Sequence, residues 1–108
     1  MDTIQDLINI KDQLPKCYRT YQLVQINQRN GRHFFSPDSM RFFSSRVHDT
    51  VYGGCIFVTS EKGWDDIRAY TVRAIDNKGN IYTLGEFQEY SCRASAHAAA
   101  SRLAKQLK

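Results

Sequence analysis

Apolar and polar positions change their period several times along the 108 residues, and each change marks an element. Ile4, Leu7, Ile8 and Leu14 recur at helical spacing, with Lys11 interrupting the stripe. Asp2 can cap that helix with Gln5 as its capping-box partner, and Pro15 should stop it. The pattern predicts a helix over 3–14. The period then shortens to two. Tyr21, Leu23 and Gln25 alternate with Gln22, Val24 and Ile26, which predicts a strand over 19–28. Asn30-Gly31 makes a turn after it.

A second helical signal follows. Ser36 is a good N-cap, Pro37 suits the first helical position, and Asp38 suits the positive end of the dipole. Phe35 and Met40 have the spacing of a hydrophobic staple. Met40, Phe43 and Val47 share one face, so Phe42 is left to the flank beside Arg41. This predicts a short inserted helix over 37–46. Beyond it lies an apolar run from Cys55 to Val58, with Gly53-Gly54 marking a bend at its start. Residues 67–75 alternate as a strand, with Tyr70, Val72 and Ala74 on one face. Asp76 to Gly79 predicts a type I turn closed by Gly79 in the left-handed region, and residues 80–90 return as the partner strand. From 91 the chain is alanine-rich, with Ala96, Ala100, Leu103 and Leu107 in one stripe of a C-terminal helix.

Helices at the ends and strands between them define an α+β fold: an antiparallel sheet of about four strands with an N-terminal, a short inserted and a C-terminal helix. The length fits one domain, residues 1–108, with no repeat or linker.

Composition adds a basic bias, with a net charge of +4. The bias is local. Lys16, Arg19, Arg29, Arg32, Arg41 and Arg46 face a single acid, Asp38, between residues 16 and 48. Arginine presents planar, bidentate donors suited to phosphate or carboxylate. No apolar run has the length of a membrane span, and the acidic N-terminus is unlike a signal peptide, so a cytoplasmic protein is expected.

Catalytic chemistry finds little support in the pattern. Cys17, Cys55 and Cys92 are widely spaced without a C-x-x-C, which reads as reduced thiols rather than a metal or redox site. His33, His48 and His97 fall on three different elements. Asp65-Asp66 lacks the ligand spacing of a calcium loop, and Gly53-Gly54 lacks the Lys-Ser/Thr of a phosphate loop. No cofactor, no metal and no enzymatic activity are expected.

Binding chemistry finds more. Residues 85–107 are similar to the end of a double-stranded RNA-binding domain, where a strand leads into a helix that starts with phosphate-contacting lysines and continues into alanines. Here Arg93 stands near those lysines, while Cys92 and Ala96 occupy positions where charge would be wanted. Arg68 and Arg73, alternating with Tyr70, would sit at the rim of the sheet.

A wider likeness runs from Phe34 to Tyr90. Phe34-Phe35-Ser36, Met40-Arg41-Phe42-Phe43, Thr59-Ser60-Glu61-Lys62, Arg68-Ala69-Tyr70-Thr71-Val72-Arg73 and Gly85-Glu86-Phe87 carry it. These resemble a family of small accessory proteins without assigned function from bacteriophages and mobile elements. The resemblance implies a non-enzymatic binding protein that inhibits a host protein or ribonucleoprotein complex, as anti-CRISPR proteins do. The expected partner surface is Arg29, Arg32, Arg41, Phe42, Arg46, Tyr52 and Trp64, residue types that anchor interfaces. The alternative is a small RNA- or DNA-binding protein using the same arginines and aromatics. Either a monomer or a homodimer is compatible with the pattern.

Overall fold

A computed structural model describes residues 4–32, 46–62 and 67–107. Helix α1 covers Ile4–Asn9, and a 3-10 turn follows at Lys11–Gln13. The single helix expected over 3–14 is broken at Ile10, whose backbone leaves the helical region. Leu7 is fully buried, and Ile4, Ile8, Ile10 and Leu14 pack around it on the core.

Helix α2, Thr20–Arg29, stands where the alternation predicts a strand over 19–28. The buried residues explain the difference. Thr20, Leu23, Ile26 and Asn27 recur at intervals of three and four, which is one helical face. Polar Gln22 and Gln25 between apolar neighbours imitate a period of two, yet glutamine is a good helix former. Gln22 also secures the start: its side-chain carbonyl accepts the backbone N–H groups of Tyr18 (2.7 Å) and Arg19 (3.0 Å).

The sheet has four antiparallel strands in the order β1-β2-β3-β4: β1 Arg46–Val47, β2 Ile56–Lys62, β3 Arg68–Ile75 and β4 Ile81–Thr83. With helices before and after it, the chain is an α+β protein. The first strand comes from Arg46–Val47 rather than from residues 19–28. Arg46, expected as the last residue of a helix, is therefore extended and paired opposite Ser60. The rest of the helix expected over 37–46 lies outside the described residues. The β3–β4 turn closes as expected, with the Gly79 N–H bonded to the Asp76 carbonyl (3.1 Å) and Gly79 at φ +80°. Asp76 caps this turn. Its carboxylate accepts from the Lys78 and Asn80 backbone, the Asn80 side chain and the Tyr82 hydroxyl. The returning strand is shorter than 80–90, because the chain loops out after Leu84 and rejoins β3 only at Tyr90, opposite Tyr70.

Helix α3, Arg93–Gln106, covers the face that carries Ile56, Val58, Ser60, Tyr70, Val72 and Ala74. Ala96, Ala99, Ala100 and Ala104 are buried beneath it, together with Leu107, while Leu103 is half-buried. Alanine lets the helix backbone approach the sheet closely.

The opposite face is also buried and mixes apolar Phe57 and Ile75 with a polar cluster. Arg73, expected at the rim, is 7% exposed and pairs with Glu61 (3.3 Å), itself 3% exposed. Arg73 also donates to the hydroxyls of Thr59 and Thr83, and its guanidinium lies 5.5 Å from the Phe87 ring centroid. Alternation alone places Arg73 on that face. Its burial comes from the groups packed over it.

Gly54 illustrates a close backbone approach. It sits at φ +86°, and a Cβ there would stand 2.9 Å from both Lys16 Cα and the Pro15 carbonyl oxygen. Gly54→Ala should destabilise the fold by at least about 1–2 kcal/mol, the cost of the left-handed backbone alone. Urea unfolding measures this, and an unchanged midpoint would contradict the account.

Candidate functional site

The sheet register assembles the site. Arg46, Ser60 and Tyr70 are opposite one another on β1, β2 and β3, so they form one row on the face that α3 covers. Arg68 lies two residues before Tyr70 and points to the same face. Arg93 opens α3, and His97 follows one turn later, above it on the same side of the helix. His48 leaves β1 with its N–H bonded to the Val58 carbonyl (3.0 Å).

These side chains form a connected chain of polar groups. Tyr52 Oη is 2.8 Å from His97 Nδ1, and His97 Nε2 is 2.9 Å from His48 Nδ1. His48 Nε2 faces Ser60 Oγ at 3.4 Å, and Arg68 Nη1 donates to the same Oγ at 2.9 Å. The Tyr70 ring meets His48 edge-on, with centroids 5.6 Å apart. All four imidazole nitrogens thus have a partner, and none of these partners is a cysteine.

Arg46, Arg68, Arg93 and His48 line an open groove of about 280 Å³. A second groove of about 440 Å³ adjoins it, sharing Val47 and Asp49 and bounded by Arg19, Tyr21 and Val24 of the α2 start. Among the described residues, the combined surface presents four guanidinium groups against one carboxylate, Asp49. Arg46 and Arg93 have no ion-pair or hydrogen-bond partner among the described residues. Tyr18 and Tyr21 stand out at 84% and 61% exposure.

Electrostatics follow from this crowding. Burial, then His97, Arg93, Arg68 and Arg46, push the His48 imidazole down from the usual histidine range to about 4. Burial and Arg93 lower His97 as well. Both rings are neutral near pH 7. The thiols diverge: burial and the neighbouring Cys17 push Cys55 up to about 12, so it stays protonated. Cys92, exposed at the N-cap of α3, is lowered by the backbone N–H groups of Ser95 and Ala94.

With this arrangement in view, comparison of the sequence with protein-family models gives one match. Residues 20–101 match a family of unknown function, DUF7447. The chain belongs to DUF7447. No curated protein matches it, and no solved structure does. The matched span of this DUF7447 member starts with α2 and ends within α3, so it contains Arg46, Arg68 and Arg93, while Arg19 lies one residue before it.

Of the described residues expected at a partner surface, the structure brings only Arg46 into the groove. Tyr52 stands behind it, half-buried, as the hydrogen-bond partner of His97. Arg29 and Arg32 do not join it. They are exposed at the far end of α2, where that end meets the β3–β4 turn through Asn27 and the Gly79 carbonyl (2.8 Å). That end is roughly 14 Å along the helix axis from Thr20. Arg41, Phe42 and Trp64 lie outside the described residues. Sequence reasoning missed His48, His97, Arg68 and Arg19 as site residues. The i, i+4 spacing of Arg93 and His97 was a usable signal. Nothing local links His48 to His97 across 49 residues. Among the described residues, no helix is long and apolar enough to cross a membrane.

Proposed function

We propose that this DUF7447 member binds nucleic acid, with the Arg46–Arg68–Arg93 groove as its phosphate-contacting surface. One observation carries the reading: three guanidinium groups from three different elements converge on one groove, where Asp49 is the lone carboxylate among the described residues. Guanidinium forks match phosphate oxygens bidentately, and phosphate contacts supply most of the affinity in such complexes. Arg46 and Arg93 have their donors free for this among the described residues. The positive end of the α3 dipole lies beside them. Tyr18 and Tyr21 next to the adjoining groove offer faces on which bases can stack. The likeness of residues 85–107 to the end of a double-stranded RNA-binding domain agrees with this. The charge that Cys92 and Ala96 do not supply at the helix start is offset by Arg46 and Arg68 from the sheet.

Fluorescence anisotropy with labelled RNA and DNA, duplex and single-stranded, tests the proposal. For a DNA duplex, three phosphate contacts should make affinity fall about 40-fold between 50 and 200 mM salt. Arg46→Glu with Arg93→Glu should lower affinity at least about 60-fold at 0.1 M salt and reduce the salt slope by about two. Failure to bind any of the four nucleic acids at 50 mM salt sinks the reading.

The competing reading is an inhibitor of phage or mobile-element origin that covers a host complex such as a CRISPR effector. The exposed Tyr18 and Tyr21 beside an apolar-bottomed groove support it, since tyrosine is enriched at protein interfaces. It predicts stoichiometric capture of a host protein that survives nuclease treatment, with no affinity for free RNA or DNA.

A further inference from the structure

We propose that a phosphate group entering the groove between Arg46, Arg68 and Arg93 brings a proton with it, taken up by the hydrogen-bonded His48–His97 pair. This rests on the groove being the phosphate-contacting surface and adds to it a regulation by pH.

The geometry already accommodates the extra proton. In the neutral pair, one N–H lies between His48 Nδ1 and His97 Nε2. The two outer nitrogens face hydroxyls, Ser60 Oγ and Tyr52 Oη. A hydroxyl both donates and accepts, and it reverses by rotating about its C–O bond. Once a proton from solvent is added, both outer nitrogens donate, Nε2–H to Ser60 Oγ and Nδ1–H to Tyr52 Oη. Ser60 Oγ has two lone pairs, enough for His48 and for Arg68, which donates to it already. No side-chain heavy atom has to change rotamer; the hydroxyl that had donated to the unprotonated outer nitrogen turns its own proton away as it becomes the acceptor.

What opposes the proton is charge. Facing His48 are Arg46 of β1, Asp49 after it, Ser60 of β2, Arg68 and Tyr70 of β3, and Arg93 and His97 of α3. Among these described groups there are three guanidinium groups and one carboxylate. With the groove empty, burial and those cations hold the imidazole neutral down to about 4. An anion among the three arginines cancels the repulsion from Arg93, Arg68 and Arg46 while leaving the hydrogen bonds in place. Binding and protonation must then favour each other equally. The sign is definite. The anion raises the histidine pKa, so anion affinity rises as pH falls through the range below about 6.5. Without an anion the same histidine acts the other way. The unfolded chain accepts a proton that the fold refuses, so stability falls as pH drops from about 6.5 toward 4.

Inorganic sulfate is a suitable probe, because its charge is constant over this range. Histidine ring resonances of the whole protein, followed by NMR from pH 4 to 8, give the His48 midpoint with and without saturating sulfate. The midpoint should rise by about two units, from about 4 to about 6, and sulfate affinity at pH 5 should then exceed that at pH 8 by about tenfold. A fluorescent duplex should show the same pH trend, and His97→Gln should flatten it. Should that variant fail to fold, the wild-type titration decides alone. Equal affinities at pH 5 and pH 8 with an unmoved midpoint overturn the proposal. If the duplex binds without any pH dependence, proton uptake is wrong and nucleic-acid binding stands. If sulfate shifts the midpoint but no duplex binds, the proton-linked anion site stands and the nucleic-acid reading falls. No binding of either probe ends both.

Discussion

Arg73→Ala should destabilise the protein by about 3–5 kcal/mol. The reason is what it leaves behind. Glu61 is 3% exposed, and one of its carboxylate oxygens accepts from both Arg73 and the Thr59 hydroxyl. Without the guanidinium the carboxylate remains buried with only hydroxyl donors, Thr59 and Thr71. Thr83 loses a donor at the same time, and the Phe87 ring loses the cation beside it. A buried charge without its counter-charge costs far more than the intact pair contributes. A domain is stable by only about 5–15 kcal/mol in total, so the change takes a large share. Equilibrium urea unfolding reads it. A loss below about 1 kcal/mol would mean that water reaches Glu61 and that this face is not closed.

Phe57→Ala should cost a similar amount, about 3–5 kcal/mol. Phe57 is fully buried on β2 and stands opposite Arg73 in the β2–β3 register. Truncation removes its apolar area from the core and leaves a cavity beside β3, a strand paired on both sides that cannot collapse to fill it. The cavity would border the Arg73 side chain, so the two substitutions should not add. A double-mutant cycle should give a coupling of about 0.5–3 kcal/mol, whereas strict additivity would separate the two residues physically. Neither substitution touches the arginine groove, which lies on the opposite side of the sheet. Any folded fraction should therefore keep the groove's anion affinity.

The most local features of the fold were legible. Gly79 after Asp76-Asn77-Lys78 specifies its turn through short-range sterics, and the turn is there. The alternation over residues 67–75 names the two faces of β3 correctly, and the alanine-rich tail is the helix its propensity indicates. Residues 20–29 were misread because Gln22 and Gln25 happen to alternate with apolar neighbours. The deciding fact was which side chains the core would cover, namely Leu23, Ile26 and Asn27. Arg73 was misplaced for the related reason that alternation gives a face and not its cover.

The groove lay further still from the sequence. Charge counting found the basic stretch between residues 16 and 48, yet among the described residues only Arg19 and Arg46 from it reach the grooves. Arg68 and Arg93 come from elsewhere, brought in by strand register and by the crossing of α3 over the sheet. By itself, the sequence determined the turn chemistry, the strand faces and the helical tail, because these depend on interactions within a few residues. The tertiary structure alone decided that His48 would meet His97, that Arg73 would be buried, and that three distant arginines would share one groove. Those outcomes depend on which strands pair and which helix covers them, and no local period encodes either.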